Sequence, residues 1–216
     1  MNNNNQNRTP LYMFIGMALG GVISFFAADN AVLGICIGAG IGIPVGSMLD
    51  VKMKKGRYKS EEFIYEENIA IASSAFKNGG VIPERYTCYG ENLSPELRVP
   101  CILPEAKSIA VMLDDIDHPL FEVFNHWCAW NLPVSDTIQE GIPHGDSLPD
   151  GIKQGVAYGV HCYKGPKPPM GSHRYKFHVF VLDCMLDINT RSGKMELMEA
   201  MKTHVLQYGT LIGKYR

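Results

Sequence analysis

Acidic and imidazole side chains are concentrated in one short stretch, "DDIDHPLFEVFNHW" (114–127). The stretch joins two apolar, strand-like runs and contains Asp115, Asp117 and His126. A carboxylate next to an imidazole makes the imidazole hold its proton more readily, so the pair can donate a hydrogen bond to an anion such as phosphate. The carboxylate can also accept a hydrogen bond from an ammonium or hydroxyl group. These residue types indicate a ligand site at the end of a strand.

A second unusual stretch, "GPKPPMGSHRYKF" (165–177), contains three prolines and two glycines and then enters a strand. A loop stiffened in this way loses little conformational entropy when it binds a ligand. It also delivers a histidine and a tyrosine to the start of that strand. We expect the two stretches to form one pocket, which would combine hydrogen-bond donors and acceptors from Asp115, Asp117, His126, His173 and Tyr175.

Each of these residues also has an ordinary structural explanation when it is considered alone. Asp115 and Asp117 are of a type that closes turns by bonding to the backbone. His126 stands beside a tryptophan and could be a core histidine, and His173 could simply begin a strand. The case for a pocket therefore depends on the residues acting together.

The sequence lacks the common signatures of metal, nucleotide and nucleophile chemistry. It contains no H-x-x-x-H pair, no glycine-rich phosphate loop and no G-x-S-x-G motif. Asp-x-Asp followed nine residues later by His is not a specific metal-ligand spacing. We predict no metal, no cofactor and no catalytic residue, although Asp115 and His126 would permit acid–base work on a bound phosphoester.

The charge balance argues against nucleic acid as a partner. Of the 20 basic and 22 acidic residues, six and two lie in residues 1–60, which leaves 14 and 20 for residues 61–216. A domain with this acidic excess is unsuited to tracking a phosphate backbone. The six cysteines form no C-x-x-C pair, which favours reduced, buried thiols over a disulfide framework or a zinc ribbon.

The N-terminal region is unlike the rest of the chain. A polar tip (1–10) precedes two uncharged apolar runs within residues 11–49, and each run has about the length of a membrane-spanning helix. Glycines recur every four residues, as in closely packed membrane helices. We predict a two-helix transmembrane hairpin over 11–49 that turns at Asp29 and Asn30.

A basic linker, residues 50–60, follows the hairpin. Basic residues beside a membrane span mark the cytoplasmic side, so we expect a membrane-anchored protein whose following domain lies at the cytoplasmic face. A cleaved signal peptide, a single anchor and a buried soluble hairpin are the alternatives.

Residues 61–216 have the pattern of a mainly β domain. Short apolar runs rich in β-branched and aromatic residues are separated by Pro, Gly, Asn and Asp. Residues 194–206, "KMELMEAMKTHVL", have helical periodicity, with Ser192 as a candidate cap. We predict an antiparallel β-sandwich with a C-terminal helix.

Three motifs in order resemble one known family. "IPERYTCYGENLSPEL" (82–97), "DIDHP" (115–119) with the following "HW" (126–127), and "GPKPPMGSHRY" (165–175) are similar to the phosphatidylethanolamine-binding protein, or Raf kinase inhibitor protein-like, family. The compact form and the ending "THVLQYGTLIGKYR" resemble its bacterial and archaeal branch. The resemblance covers about residues 70–216. Ile116 and His118 depart from the family's usual D-P-D-A-P, and the N-terminal hairpin lies outside the family pattern.

The resemblance implies a Greek-key β-sandwich with a small pocket for phosphate-like groups or phospholipid heads. Matched by motif, the pocket residues are Asp115, Asp117, His126, Gly165, Pro166, His173 and Tyr175. We therefore expect a non-enzymatic, membrane-tethered binding protein with a possible regulatory role. The main alternative is an inhibitor of a protease or kinase that acts through surface loops such as 143–151, and a phosphoester hydrolase is the less favoured one.

Overall fold

The computed structural model describes residues 65–216, which belong to one compact unit, Phe63–Arg216. The predicted tip (1–10), hairpin (11–49) and linker (50–60) lie outside the described residues. Among residues 65–216, no helix is long and apolar enough to cross a membrane.

The described chain forms eight strands, one short 3₁₀ helix and one α-helix, as predicted for a mainly β domain with a C-terminal helix. In chain order these are β1 (Gly80–Val81), the 3₁₀ helix (Glu84–Tyr86), β2 (Leu97–Arg98), β3 (Ser108–Asp115), β4 (Phe124–Leu132), β5 (Thr137–Ile138), β6 (Lys153–Gln154), β7 (His173–Leu182), α1 (Lys194–Met201) and β8 (Val205–Tyr215).

Six strands form the main sheet in the order β1-β8-β7-β3-β4-β6, and β2 and β5 form a small second sheet. The pairings are antiparallel, as predicted, except that β1 runs parallel to β8. These two strands are far apart in the sequence, so no tight hairpin forces them to run in opposite directions.

The main sheet has a separate apolar core on each face. Ile109, Val111 and Leu113 of β3 pack on the face that also receives Leu97 and Ile138 of the small sheet. The intervening residues of β3 pack on the other face, against α1. This alternation places one layer on each side of the sheet, which is the sandwich arrangement with an added helix.

The predicted helix over 194–206 is shorter than its periodicity suggested. Its N-cap is Gly193 rather than Ser192, and the Gly193 amide donates to Glu196 Oε2 over 3.0 Å. The helix ends at Met201, and Val205 already pairs with Leu182 of β7. The ladder between β7 and β8 overrides the helical periodicity of the last residues because it satisfies their backbone groups along an entire strand.

Candidate functional site

The strand directions bring the two unusual stretches together. β3 ends at Asp115, whereas its neighbours β4 and β7 begin at Phe124 and His173. Because both pairings are antiparallel, Asp115 lies opposite Phe124 on one side and Tyr175 on the other. The end of β3 and the starts of β4 and β7 therefore meet at one end of the sheet.

A β-bulge points His126 toward this end. The pairing of β3 with β4 shifts register between Leu113, which faces Trp127, and Asp114, which faces Asn125, so that His126 is the extra residue. Its ring contacts Tyr175, on the face of the sheet that carries the small sheet. Bulges of this kind often redirect a side chain beside a functional site.

Asp115 and His173 form a buried pair. His173 Nδ1 lies 2.7 Å from Asp115 Oδ2, and both side chains are almost fully buried. The other oxygen of Asp115 accepts a hydrogen bond from the backbone N–H of Asp117 over 3.0 Å. Since a carboxylate only accepts hydrogen bonds, Nδ1 carries the proton, and Nε2 remains for a ligand.

His126 is buried, and a hydrogen bond to a backbone carbonyl holds its ring in place. Its Nδ1 lies 3.0 Å from the carbonyl oxygen of Lys164, so Nδ1 donates to that carbonyl. Burial lowers the pKa of His126 and outweighs the opposing effects of the Lys164 carbonyl and the negative charge of Asp115. At neutral pH His126 is therefore an uncharged imidazole whose Nε2 is an acceptor.

Tyr175 lies between the two histidines. Its ring centroid is 5.4 Å from that of His126 and 6.4 Å from that of His173. Its hydroxyl is buried and makes no well-aligned hydrogen bond among the described residues, although the Asp115 side chain and the Lys167 backbone are its polar neighbours. Burial, followed by the charge of Asp115, raises the pKa of Tyr175, so the group stays a phenol that donates a hydrogen bond. A buried donor without a well-aligned partner is costly unless a ligand or water satisfies it.

Gly165 and Pro166 fix the loop that holds His126. A Cβ on Gly165 would lie 2.2 Å from the carbonyl oxygen of Tyr86, so only glycine allows this close approach. The Gly165 amide donates to Asn92 Oδ1 over 2.8 Å, and the Cys88 amide donates to the carbonyl of Pro166 over 3.1 Å. The stretch 82–97, which contains Cys88 and Asn92, thus anchors the loop that begins at Gly165. Sequence reasoning missed Asn92 as a positioning residue, although it lies within the quoted stretch 82–97.

Asp117 occupies a different environment from Asp115. It lies near the surface, where both of its oxygens are bound by Arg174 at 2.7 and 2.8 Å. These hydrogen bonds hold the pKa of Asp117 at about 2, although its partial burial opposes them. It also accepts a hydrogen bond from the Arg174 amide. Asp117 therefore ties the end of β3 to the start of β7, and its oxygens are already engaged.

A column of aromatic rings stands beside the buried residues. The His118 ring stacks on Phe124 at 4.8 Å, and Phe124 meets Tyr158 edge-on at 5.3 Å. Tyr158 in turn contacts His126, with the ring centroids 5.3 Å apart. No periodic pattern in the sequence marks Tyr158, because it lies in a turn far along the chain. We call His118, Phe124 and Tyr158 the aromatic rim.

The sequence profile of one family, described as "Phosphatidylethanolamine-binding protein", matches residues 72–216. The chain belongs to the phosphatidylethanolamine-binding protein family. A UPF0098 protein of Methanothermobacter thermautotrophicus is 44% identical over 148 residues, which cover 68% of this chain and 97% of the relative. A UPF0098 protein of Pyrococcus abyssi is 41% identical over 154 residues, covering 69% and 86%.

Solved structures show the same family fold. A protein of Chlamydia trachomatis, described as a homologue of phosphatidylethanolamine-binding protein, is 31% identical with a TM-score of 0.62. The match covers 70% of this chain and 99% of the chlamydial chain. Escherichia coli YbcL, described as a member of the mammalian family, has a TM-score of 0.62 at 22% identity and shows the fold alone, over 68% of this chain and 98% of its own.

In this member of the family, Asp115, His126, His173 and Tyr175 form one contiguous buried cluster. Gly165 and Pro166 support the cluster through the backbone, and Asp117 lies at its edge. The cluster offers one phenolic donor and two imidazole nitrogens that accept or, when protonated, donate.

Proposed function

We propose that this protein is a non-enzymatic binding protein that holds a small anion or a phospholipid head group at the cluster of Asp115, His126, His173 and Tyr175. The observation that carries the proposal is the buried Tyr175 hydroxyl, which lies between two histidines without a well-aligned partner. A ligand oxygen would satisfy this hydroxyl.

The cluster can bind a phosphate-like group whether its two histidines are neutral or protonated. The Tyr175 hydroxyl donates to an anionic oxygen. The free Nε2 atoms of His126 and His173 accept from a phosphate O–H group, or donate to the anion once they are protonated. The Asp115 carboxylate holds the His173 ring in place through their 2.7 Å contact, so that Nε2 faces the ligand.

Exposed apolar side chains favour a lipid head group over free phosphate. Leu120 is 65% exposed in the loop that carries His118, and Met170 is 77% exposed in the loop that follows Pro166. A lipid whose head lies in the cluster would direct its acyl chains toward such side chains.

The same proposal includes a membrane tether. The apolar runs over 11–49 would anchor the chain, and the basic linker 50–60 would hold the domain near the cytoplasmic face. A pocket tethered in this way meets lipid heads at a high effective concentration. Protease treatment of membrane vesicles tests the orientation: digestion of the domain is expected in inverted vesicles, and digestion only in right-side-out vesicles would contradict it.

A thiol on the loop beside the cluster supports a binding role over catalysis. Cys88 donates to the Gly165 carbonyl over 3.2 Å. Burial raises the pKa of Cys88 despite the nearby positive charges of Lys164 and Lys167. A catalytic cysteine needs a lowered pKa, so this thiol is suited to packing rather than to nucleophilic attack.

Calorimetric titration of residues 61–216 tests the proposal directly. The chlamydial relative, 99% of which is matched by 70% of this chain, folds without a further segment, so the domain alone is a suitable sample. The ligands are phosphate, phosphoethanolamine and a short-chain phospholipid. We expect saturable binding that is lost in His126→Ala and kept in His144→Ala, which changes an exposed histidine.

The three ligands also distinguish a site for a phospholipid head group from a site for the free anion. Tighter binding of the phospholipid than of phosphoethanolamine would identify a lipid site, whereas equal binding would identify a site for the free anion. A folded wild-type domain that binds none of them would overturn the proposal. The inhibitor hypothesis, with loop 143–151 as the contact surface, would then be the one to test.

A further inference from the structure

Three side chains that commonly bind transition metals lie together at the far end of β7. Asp183 and Cys184 follow the last residue of β7, and His204 precedes the first residue of β8. One ligand atom from each of the three lies within 4.8 Å of the others. β7 has ten residues, so at about 3.3 Å per residue this group is roughly 30 Å from the histidine cluster.

The fold fixes the backbone of all three residues. The Asp183 amide donates to the His204 carbonyl over 3.1 Å, which continues the pairing of β7 with β8. The His204 amide donates to the Met201 carbonyl at the end of α1 over 2.8 Å. The Ser108 hydroxyl lies 2.5 Å from the Cys184 carbonyl. The donor atoms are therefore brought together by the ends of three elements, before any ion binds.

The distances suit a single ion. Zn²⁺ binds thiolate, imidazole and carboxylate at about 2.0–2.3 Å, so two ligands of one tetrahedral ion lie about 3.3–3.8 Å apart. The three donor atoms lie within 4.8 Å of one another, so side-chain shifts of about 1 Å would bring them around an ion. His204 Nδ1 is already 2.8 Å from Asp183 Oδ1. A Zn²⁺ ion would replace the shared proton and lie off the line that joins the two atoms, which would move apart by a few tenths of an ångström or more.

We propose that Asp183, Cys184 and His204 form a Zn²⁺ site with a solvent molecule as the fourth ligand. A set of one sulfur, one nitrogen and one oxygen matches Zn²⁺ and does not match Mg²⁺ or Ca²⁺, which prefer oxygen ligands. The side chains of Asp183 and His204 are 43% and 42% exposed, which leaves a path and a coordination position for solvent. Binding exchanges the Cys184 thiol proton and the shared His204 proton for the ion.

A bound ion would link the end of β7 to the start of β8. An ion that binds the folded chain in preference to the unfolded chain stabilises the fold by mass action. Because the site is remote from the histidine cluster, its failure would leave the proposed function untouched.

Co²⁺ titration of the untagged, full-length protein tests the site, since Co²⁺ bound to a thiolate gives a sulfur-to-metal charge-transfer band. We expect one Co²⁺ per chain, a band that Zn²⁺ abolishes, and loss of the band in Cys184→Ser. Cys101→Ser, which changes an exposed cysteine outside the group, is expected to keep the band. Competition with a chelating dye should show Zn²⁺ affinity lowered at least about tenfold in His204→Ala and unchanged in His144→Ala.

Tryptophan fluorescence of each variant establishes that the domain is folded, because Trp127 and Trp130 are both buried in it. Asp183→Asn, which keeps the size of the side chain, is expected to weaken Zn²⁺ binding in a folded protein. Absence of the band in wild type would overturn the proposal. So would binding that survives all three substitutions, because the ion would then be adventitious.

Discussion

Asp114 and Asp115 are neighbours in the chain, yet they lie on opposite faces of the sheet in two different environments. Each residue is only 1% exposed. The Asp114 carboxylate lies 2.5 Å from Lys194 Nζ and 3.2 Å from His178 Nε2, and it accepts a hydrogen bond from Asn125 over 2.9 Å. The Asp114 carboxylate therefore has three partners: the Lys194 ammonium, the His178 imidazole and the Asn125 amide.

Asp115, by contrast, contacts one histidine and one backbone amide, and it lies beside a hydroxyl without a well-aligned partner. Burial alone would raise the pKa of Asp114, but the His178 hydrogen bond and the positive charge of Lys194 outweigh burial and hold that pKa well below its usual range. The Asp114 network joins the first residue of α1 to the sheet. We conclude that Asp114 is a structural charge, whereas Asp115 belongs to the proposed ligand site.

The largest expected effect is the loss of stability in Asp114→Asn. The substitution removes the negative charge from a buried network and leaves Lys194 uncompensated, so we expect a loss of about 3 kcal/mol in the free energy of unfolding. Asp115→Asn keeps an acceptor for His173 and should cost about 1 kcal/mol. Urea denaturation followed by tryptophan fluorescence measures both. Equal losses in the two variants would contradict the comparison.

The Asp114 contribution also has a defined pH dependence. Its pKa in the folded state is lower than in the unfolded state, so the contribution is complete above the unfolded value of about 4. It is lost as the pH falls through the folded value. The stability difference between wild type and Asp114→Asn should therefore shrink in strong acid.

Gly165→Ala should have the next largest effect. The loop that holds His126 in the cluster packs closely on Tyr86. Since the new Cβ would overlap a backbone carbonyl at 2.2 Å, we expect a loss of about 2 kcal/mol in unfolding free energy, and weaker phosphate binding. Pro169→Ala, at an exposed position of the same loop, is the control. Equal stability of the two variants would mean that the close approach does not constrain the loop.

We expect the affinity for an anion to depend on pH through His126, and this effect is smaller than the stability losses above. Burial lowers the pKa of His126, so the free site holds this residue neutral, and an anion would favour its protonated form. Sulfate, which does not change its charge between pH 5.5 and 7.5, should therefore bind more tightly as the pH falls, by at most about tenfold per pH unit for each proton taken up. Calorimetry in two buffers of different ionisation enthalpy measures that uptake. His126→Gln should reduce it, and an affinity that rises with pH would refute the coupling.

The sequence was sufficient for the mainly β fold class, because strand propensity and apolar runs are local signals. The family resemblance singled out the candidate site residues, and the structure brings Asp115, His126, His173 and Tyr175 together at one end of the sheet. Apolar runs predicted the strands, and two stretches rich in acids, histidines and prolines predicted which strand ends would meet. Three features required the structure. The bulge at His126 depends on register with β3, the partner of Asp117 depends on where β7 begins, and Val205 joined a strand because β7 was available to pair with it.

Tyr175→Phe should have the smallest effect on stability and gives the sharpest separation of binding from folding. Its hydroxyl has no well-aligned partner among the described residues, so its removal should leave the unfolding free energy unchanged or raise it by about 0.5 kcal/mol. Tyr163→Phe is the matched control, because the equally buried Tyr163 hydroxyl donates to the Tyr86 carbonyl over 2.8 Å and its removal should cost about 1 kcal/mol. Phosphate affinity should follow the opposite order, with a loss in Tyr175→Phe and little change in Tyr163→Phe. If Tyr175→Phe destabilised the domain and bound phosphate as wild type does, the hydroxyl would be structural, and the contrast between the two faces of the sheet would lose its basis.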